Sequence, residues 1–143
     1  MIRASLADGP IDVPALQREV AAVTNGATAI FLGTVRSTNE GRDVSGIEYS
    51  AFEEMAPREM TAILDEACVR FGISTAVAEH RVGSLAVGDV SIAVAVAAAH
   101  RAPALDALRF IVDETKRRAP IWKLEHYSDG TREWVNAGGG SAR

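Results

Sequence analysis

Apolar positions change their period several times along the chain, and each change marks a new element. Residues 2–6 suit a short strand, and Asp8-Gly9-Pro10 turns the chain. Asp12 is a fitting N-cap for a helix over 13–23, with Pro14 in the first turn and Asn25-Gly26 as its stop. Residues 27–35 are apolar or small on both parities, which predicts a strand covered on both faces. Gly33 inside it predicts a bulge or the close approach of another group. After the polar loop 37–41 the pattern alternates over 44–52, a second strand expected antiparallel to the first across that loop.

A 3.6-residue period then runs over 53–71, with Met60, Ile63, Leu64, Ala67 and Phe71 on one face, Pro57 in the first turn and Gly72 as the stop. Residues 75–82 read as a strand, 83–88 as a turn and 89–99 as a long strand. Val90, Ile92, Val94 and Val96 fill one face of that strand; Ser91, Ala93, Ala95, Ala97 and Ala99 make a small-residue face on which a helix can pack closely. A helix follows from about residue 102, with Pro103 in its first turn, and Pro120 ends it. A strand from 121, a turn at 128–130 and a short strand at 133–135 complete the pattern. The fold class is therefore α/β (α+β), a mixed or antiparallel sheet with about three helices. No repeat or linker divides it, so residues 1–135 are expected to form one domain and 136–143 (NAGGGSAR) a flexible tail.

Composition narrows the function. The chain has 143 residues, 48% hydrophobic and 24% charged, which is ordinary for a globular protein and excludes disorder. A formal charge of −4 gives no general footprint for nucleic acid, and no apolar run is long enough for a membrane. The N-terminus shows no secretory signal, so a cytoplasmic location is expected. Cys68 is the one cysteine, which rules out an internal disulfide, and it is expected in the core. His80, His100 and His126 lack metal-ligand spacing, so neither a metal nor a cofactor is expected. Walker, G-x-G-x-x-G and G-x-S-x-G motifs are absent.

Against this acidic background, residues 113–125 (DETKRRAPIWKLE) hold four of the fifteen Lys and Arg residues. Lys116 lies in line with Leu105 and Val112 at the edge of the apolar stripe, where partial burial would lower a lysine pKa and ready it for chemistry. Beyond Pro120, alternation places Lys123 and Glu125 with Ile121 on one face, opposite Trp122, Leu124 and His126. Arg36 ends the 27–35 strand, and His100-Arg101, the second of two His-Arg pairs after His80-Arg81, ends the 89–99 strand at a helix N-terminus. If the sheet gathers these basic ends, they form an anion pocket with a lysine inside. The competing reading is equally physical: basic helix ends complement the helix dipole, and the rest is a solvated face. A non-catalytic module for a phosphorylated small molecule or an acidic peptide tail needs the same pocket without a tuned lysine.

The runs FLGTVRSTNEGRDV at 31–44, IEYSAFEEMA at 47–56, HRVGSLAVGD at 80–89, AHR at 99–101, KRRAPIWKLE at 116–125 and WV at 134–135 occur in the order of a known family. The chain resembles the large, catalytic subunits of molybdopterin synthase. It departs from their pattern at Ser50, where they usually carry Glu, and at Phe52, where they carry Tyr. The resemblance implies a hammerhead-type α/β fold, a homodimer, and a small ubiquitin-like partner subunit whose C-terminal thiocarboxylate enters the pocket. It implies sulfur transfer to cyclic pyranopterin monophosphate (precursor Z), giving the molybdopterin dithiolene. Lys116 is then the leading catalytic residue, assisted by Lys123, with Glu125 orienting; Arg36, His100 and Arg101 hold the substrate, with Arg101 or a neighbour contributed across the dimer. Sulfur arriving on a partner fits a chain with no cysteine placed for the purpose.

Overall fold

The computed structural model describes residues 1–135; the expected tail at 136–143 lies outside them. The described residues form nine strands and three helices: β1 (Ile2–Ala7), α1 (Val13–Val20), β2 (Ala27–Thr34), β3 (Thr38–Asn39), β4 (Arg42–Ala51), α2 (Met55–Phe71), β5 (Thr75–Arg81), β6 (Gly83–Ala86), β7 (Val90–Ala98), α3 (Arg101–Arg118), β8 (Ile121–Tyr127) and β9 (Arg132–Val135). One sheet has the order β1-β5-β7-β2, antiparallel except for the parallel β1–β5 pair. The other has the order β3-β4-β8-β9, with β6 also paired to β4. The expected mixed α/β class holds.

β7 divides the core as its alternation predicts. Ile92, Val94 and Val96 pack with Ala104, Ala107 and Ile111 of α3 and with Met60, Ile63 and Leu64 of α2. Ala93, Ala95 and Ala97 face Leu16 and Val20 of α1. The small-residue face does receive a helix at close quarters. A third cluster, Val35, Val44, Ile47, Leu85 and Tyr127, joins the two sheets where β2 gives way to β4.

Four expectations need correction. First, α1 stops at Val20, not Val23, because Leu16 and Val20 complete its buried side and Val23 is fully exposed. Second, residues 83–86 are a strand rather than a turn: Leu85 is buried, and β6 takes its hydrogen bonds from β4 through Gly46↔Ala86 to Tyr49↔Gly83. Third, β4 does not pair with β2. The chain crosses between sheets over 35–37, held by Val35 N–H to Asp89 C=O at 2.9 Å and Val44 N–H to Ser37 C=O at 2.8 Å. The hairpin partner of β4 is instead the two-residue β3. Fourth, Gly26 is no helix cap.

A Cβ on Gly26 would stand 2.6 Å from the Ala99 carbonyl oxygen, and one on Gly33 would stand 2.7 Å from Ile92 Cγ2. Gly33 is thus the close approach expected of it, and the β2–β7 register shifts between Gly33 and Thr34. At Gly26 the obstacle is main chain, which cannot rotate aside as a side chain can. Gly26→Ala is therefore expected to destabilise the protein by about 1–3 kcal/mol through overpacking, read as a lower denaturant midpoint with an unchanged slope.

Candidate active site

The strand after Pro120 builds the centre of the site. In the β4–β8 ladder Tyr49 stands opposite Lys123, and Ile47 opposite Glu125. Directly paired residues share a face, so Tyr49, Lys123, Glu125 and, two residues on, Tyr127 line one side of this sheet. Glu125 is 3% exposed, a buried carboxylate that must find partners. Its Oε1 accepts from the Tyr127 hydroxyl at 2.8 Å and from Asn39 Nδ2 at 2.8 Å, and its Oε2 lies 3.5 Å from Lys123 Nζ. Burial pushes the Glu125 carboxyl up, but the two hydrogen bonds and the Lys123 ammonium outweigh it and hold the group below the ordinary carboxylate range.

Asn39 owes its place to the β3–β4 hairpin, a reversal with Glu40 at φ 51° and Gly41 at φ 79°. Two successive left-handed residues are the type I′ requirement for a two-residue hairpin, which an Asn-Glu-Gly run meets in part through its glycine. Asn39 then reaches both ways. Its amide donates to Glu125 while its oxygen lies 3.5 Å from Arg36 Nη2. Arg42 braces the far side, stacked 3.5 Å over the Tyr127 ring and bonded to Thr131 at 2.7 Å. Arg36, Lys123 and Glu125 are thus gathered as expected, through an asparagine that the sequence pattern placed in an unstructured loop.

Lys116 stands on the last turn of α3. Arg118 fastens that turn to α2, with Nε to Glu59 at 2.8 Å and Nη1 and Nη2 to the two Glu66 oxygens at 2.8 Å each. Lys116 is exposed, not partly buried. The line through Leu105, Val112 and Lys116 misleads because Leu105 is itself 56% exposed; the buried side of the helix runs through Ala104, Ala107, Ile111 and Thr115.

What unites the two lysines is a residue to which the sequence assigned no role. His80 on β5 is 7% exposed, and its ring meets Tyr49 edge-on with centroids 4.9 Å apart. Burial pushes its pKa down to about 4; the Arg81 carbonyl bonded to Nδ1 opposes this, and the Lys116 and Lys123 ammonium groups add to it. The basic ends do not all converge, however. His100 and Arg101 are exposed at the opposite end of α3. Arg101 and Lys116 stand fifteen residues apart on one helix, roughly 22 Å at 1.5 Å per residue. The antiparallel β2–β7 pairing is the reason: the end of β7, at Ala98, lies beside Ala27, and the end of β2, at Thr34, lies beside Val90.

The buried His80 makes stability depend on pH. The unfolded chain protonates this group near pH 6.5, the folded chain only near 4, so the unfolded state holds more protons between those values. Stability is accordingly full above 6.5 and falls as pH drops towards 4, by a total on the order of 3 kcal/mol. Below about 5 the depressed carboxylates add their own loss. Denaturation curves between pH 6.5 and 5 are expected to show a declining midpoint in the wild type and a flatter one in His80→Gln.

Residues 6–118 match the family described as MoaE protein. The chain is 45% identical over 111 residues to the molybdopterin synthase catalytic subunit of Synechococcus elongatus, covering 77% of this chain and 67% of that one. With the protein of the same name from Pyrococcus abyssi it shares 46% identity over 111 residues, covering 78% and 75%. Among solved structures, molybdopterin synthase from Staphylococcus aureus superposes with a TM-score of 0.87 at 28% identity, covering 92% of this chain and 95% of that one. The molybdopterin biosynthesis MoaE protein of Burkholderia ambifaria gives 0.82 at 31% identity, covering 96% and 90%. With its family pattern, its fold and its relatives in agreement, the chain belongs to the MoaE family.

Proposed function

We propose that the chain is the sulfur-transferring, catalytic subunit of a molybdopterin synthase, a single domain over residues 1–135 that works in the cytoplasm. Among the described residues no helix is long and apolar enough to cross a membrane. Sulfur comes from the C-terminal thiocarboxylate of a small ubiquitin-like subunit and passes to cyclic pyranopterin monophosphate, forming the dithiolene of the molybdenum cofactor.

The observation that carries this reading, beside the family, is a charged cluster in which Arg36 and Lys123 converge on the buried carboxylate of Glu125, with Lys116 at the end of the helix that leads into β8, while the one thiol sits elsewhere. Cys68 is on α2, and burial pushes its pKa up, which disfavours the nucleophilic thiolate. Sulfur is supplied to such a site; it does not originate there. A thiocarboxylate and a cyclic phosphate are both anions, and the cationic side chains answer both.

Lys116 acts as the general acid and base, or as the transient acceptor of the partner's terminal acyl group. Lys123 assists, held against Glu125, and Glu125 orients it. Arg36 clamps the phosphate with its planar fork. His100 and Arg101, at the far end of α3 in their own chain, serve the pocket of a second copy in a homodimer.

Mixed with a thiocarboxylated small subunit and the cyclic pterin, the wild type is expected to form dithiolene product. Lys116→Ala is expected to lose at least about a hundredfold in kcat. Arg36→Ala is expected to raise KM about tenfold with kcat largely kept. Full transfer by Lys116→Ala would remove that residue from the mechanism. Arg101→Ala and Lys116→Ala proteins, each impaired alone, should regain activity when mixed and allowed to exchange subunits; no recovery would place Arg101 outside the partner copy's pocket.

A further inference from the structure

His80-Arg81, the first of the two His-Arg pairs, has no place in the reading above, yet His80 is the most central of the buried polar side chains at this site. The Arg81 carbonyl oxygen lies 2.8 Å from His80 Nδ1. A carbonyl only accepts, so Nδ1 carries the hydrogen and Nε2 keeps the lone pair. The imidazole stands at 70° to the Tyr49 ring, in an edge-on contact. Tyr49 is partly buried and packs against two of the core clusters. On the other side Tyr49 is the direct cross-strand neighbour of Lys123, with Cβ atoms about 5 Å apart. Tyr49 thus stands between His80 and Lys123.

We propose that His80 is a positioning residue for sulfur transfer: Nε2 serves as a neutral acceptor that sets where the Lys123 ammonium stands relative to Lys116. The inference rests on the sulfur-transfer reading of the same pocket. The chemistry favours an imidazole here. A carboxylate in this place would neutralise a lysine and compete with an anionic substrate, and a protonated imidazole would be a third cation without an acceptor. A neutral ring bonded through Nδ1 orients an ammonium without cancelling its charge.

A purely structural role makes a different prediction, because it uses Nδ1 and the ring's bulk. Asparagine places its amide where Nδ1 stands, and glutamine places its amide where Nε2 stands. We would compare wild type, His80→Asn and His80→Gln as full-length proteins with a small subunit carrying a C-terminal thiocarboxylate and with the cyclic pterin. His80→Gln is expected to keep kcat within about threefold, and His80→Asn to lose about 10- to 100-fold, with KM for the pterin within about twofold in both. The reverse order, or losses that simply follow the fall in thermal stability, would overturn the inference. A second arm needs no partner: acylation of Lys116 and Lys123 by a small amine-reactive ester, read residue by residue by mass spectrometry. The ratio of the two rates is expected to shift about threefold or more in His80→Asn and to hold in His80→Gln; an unchanged ratio in His80→Asn also overturns it. Should the wild type yield no dithiolene, the function fails while the labelling arm still judges His80.

Discussion

A buried carboxylate must be satisfied from several directions at once, and Glu125 imposes that demand on everything around it. It receives a hydroxyl from its own strand, an amide from the β3–β4 hairpin and an ammonium two residues earlier in β8. Removing one partner of a buried charge costs far more than the bond itself is worth, since the charge stays desolvated. The arrangement therefore behaves as a unit. The hairpin that carries Asn39 is held to β8 by an interaction it cannot cheaply give up, and Arg36 is held three residues before it. An otherwise exposed loop gains a defined position, and the pocket gains an arginine at a fixed edge.

The rest of the candidate site is placed by topology. Lys123 arrives by strand alternation and Lys116 by the last turn of a helix, and Pro120 between them forces the change from one to the other. Arg118 keeps the turn in place by spanning to two glutamates on α2. The same topology sends His100 and Arg101 away. A helix that begins where β7 ends and finishes beside β8 must separate its two termini by its own length. One chain therefore cannot place both basic groups in one pocket.

Much of this was legible in the alternation and periods of the chain, and the exceptions have physical causes. The two faces of β7 could be assigned because a run of valine and isoleucine opposite alanine leaves no other way to bury both. Gly33 could be marked because a glycine inside a strand needs a reason. β6 could not be found: four residues that open on a glycine carry too little pattern, and only Leu85 against β4 reveals the strand. Pairing of β2 with β4 was the natural inference from adjacency, and a two-residue strand displaced it. Asn39 was hidden in a polar loop, though Asn-Glu-Gly before an alternating strand is itself a hairpin signal. Lys116 was singled out partly for a burial that the fold does not give it. Its position beside Pro120 was informative, whereas the helical line that suggested burial passed through a leucine that faces solvent.

Arg36 and Lys123 bring two positive charges to the surroundings of one buried carboxylate, Glu125. Glu125 offsets one charge, so the pocket keeps an excess of positive charge for its anionic ligands. His80 matters to that balance because it stays out of it. With burial on all sides and two cations near, the imidazole remains neutral through the range in which an ordinary histidine titrates. His80 therefore adds no positive charge as pH falls through the range where a solvated histidine would protonate.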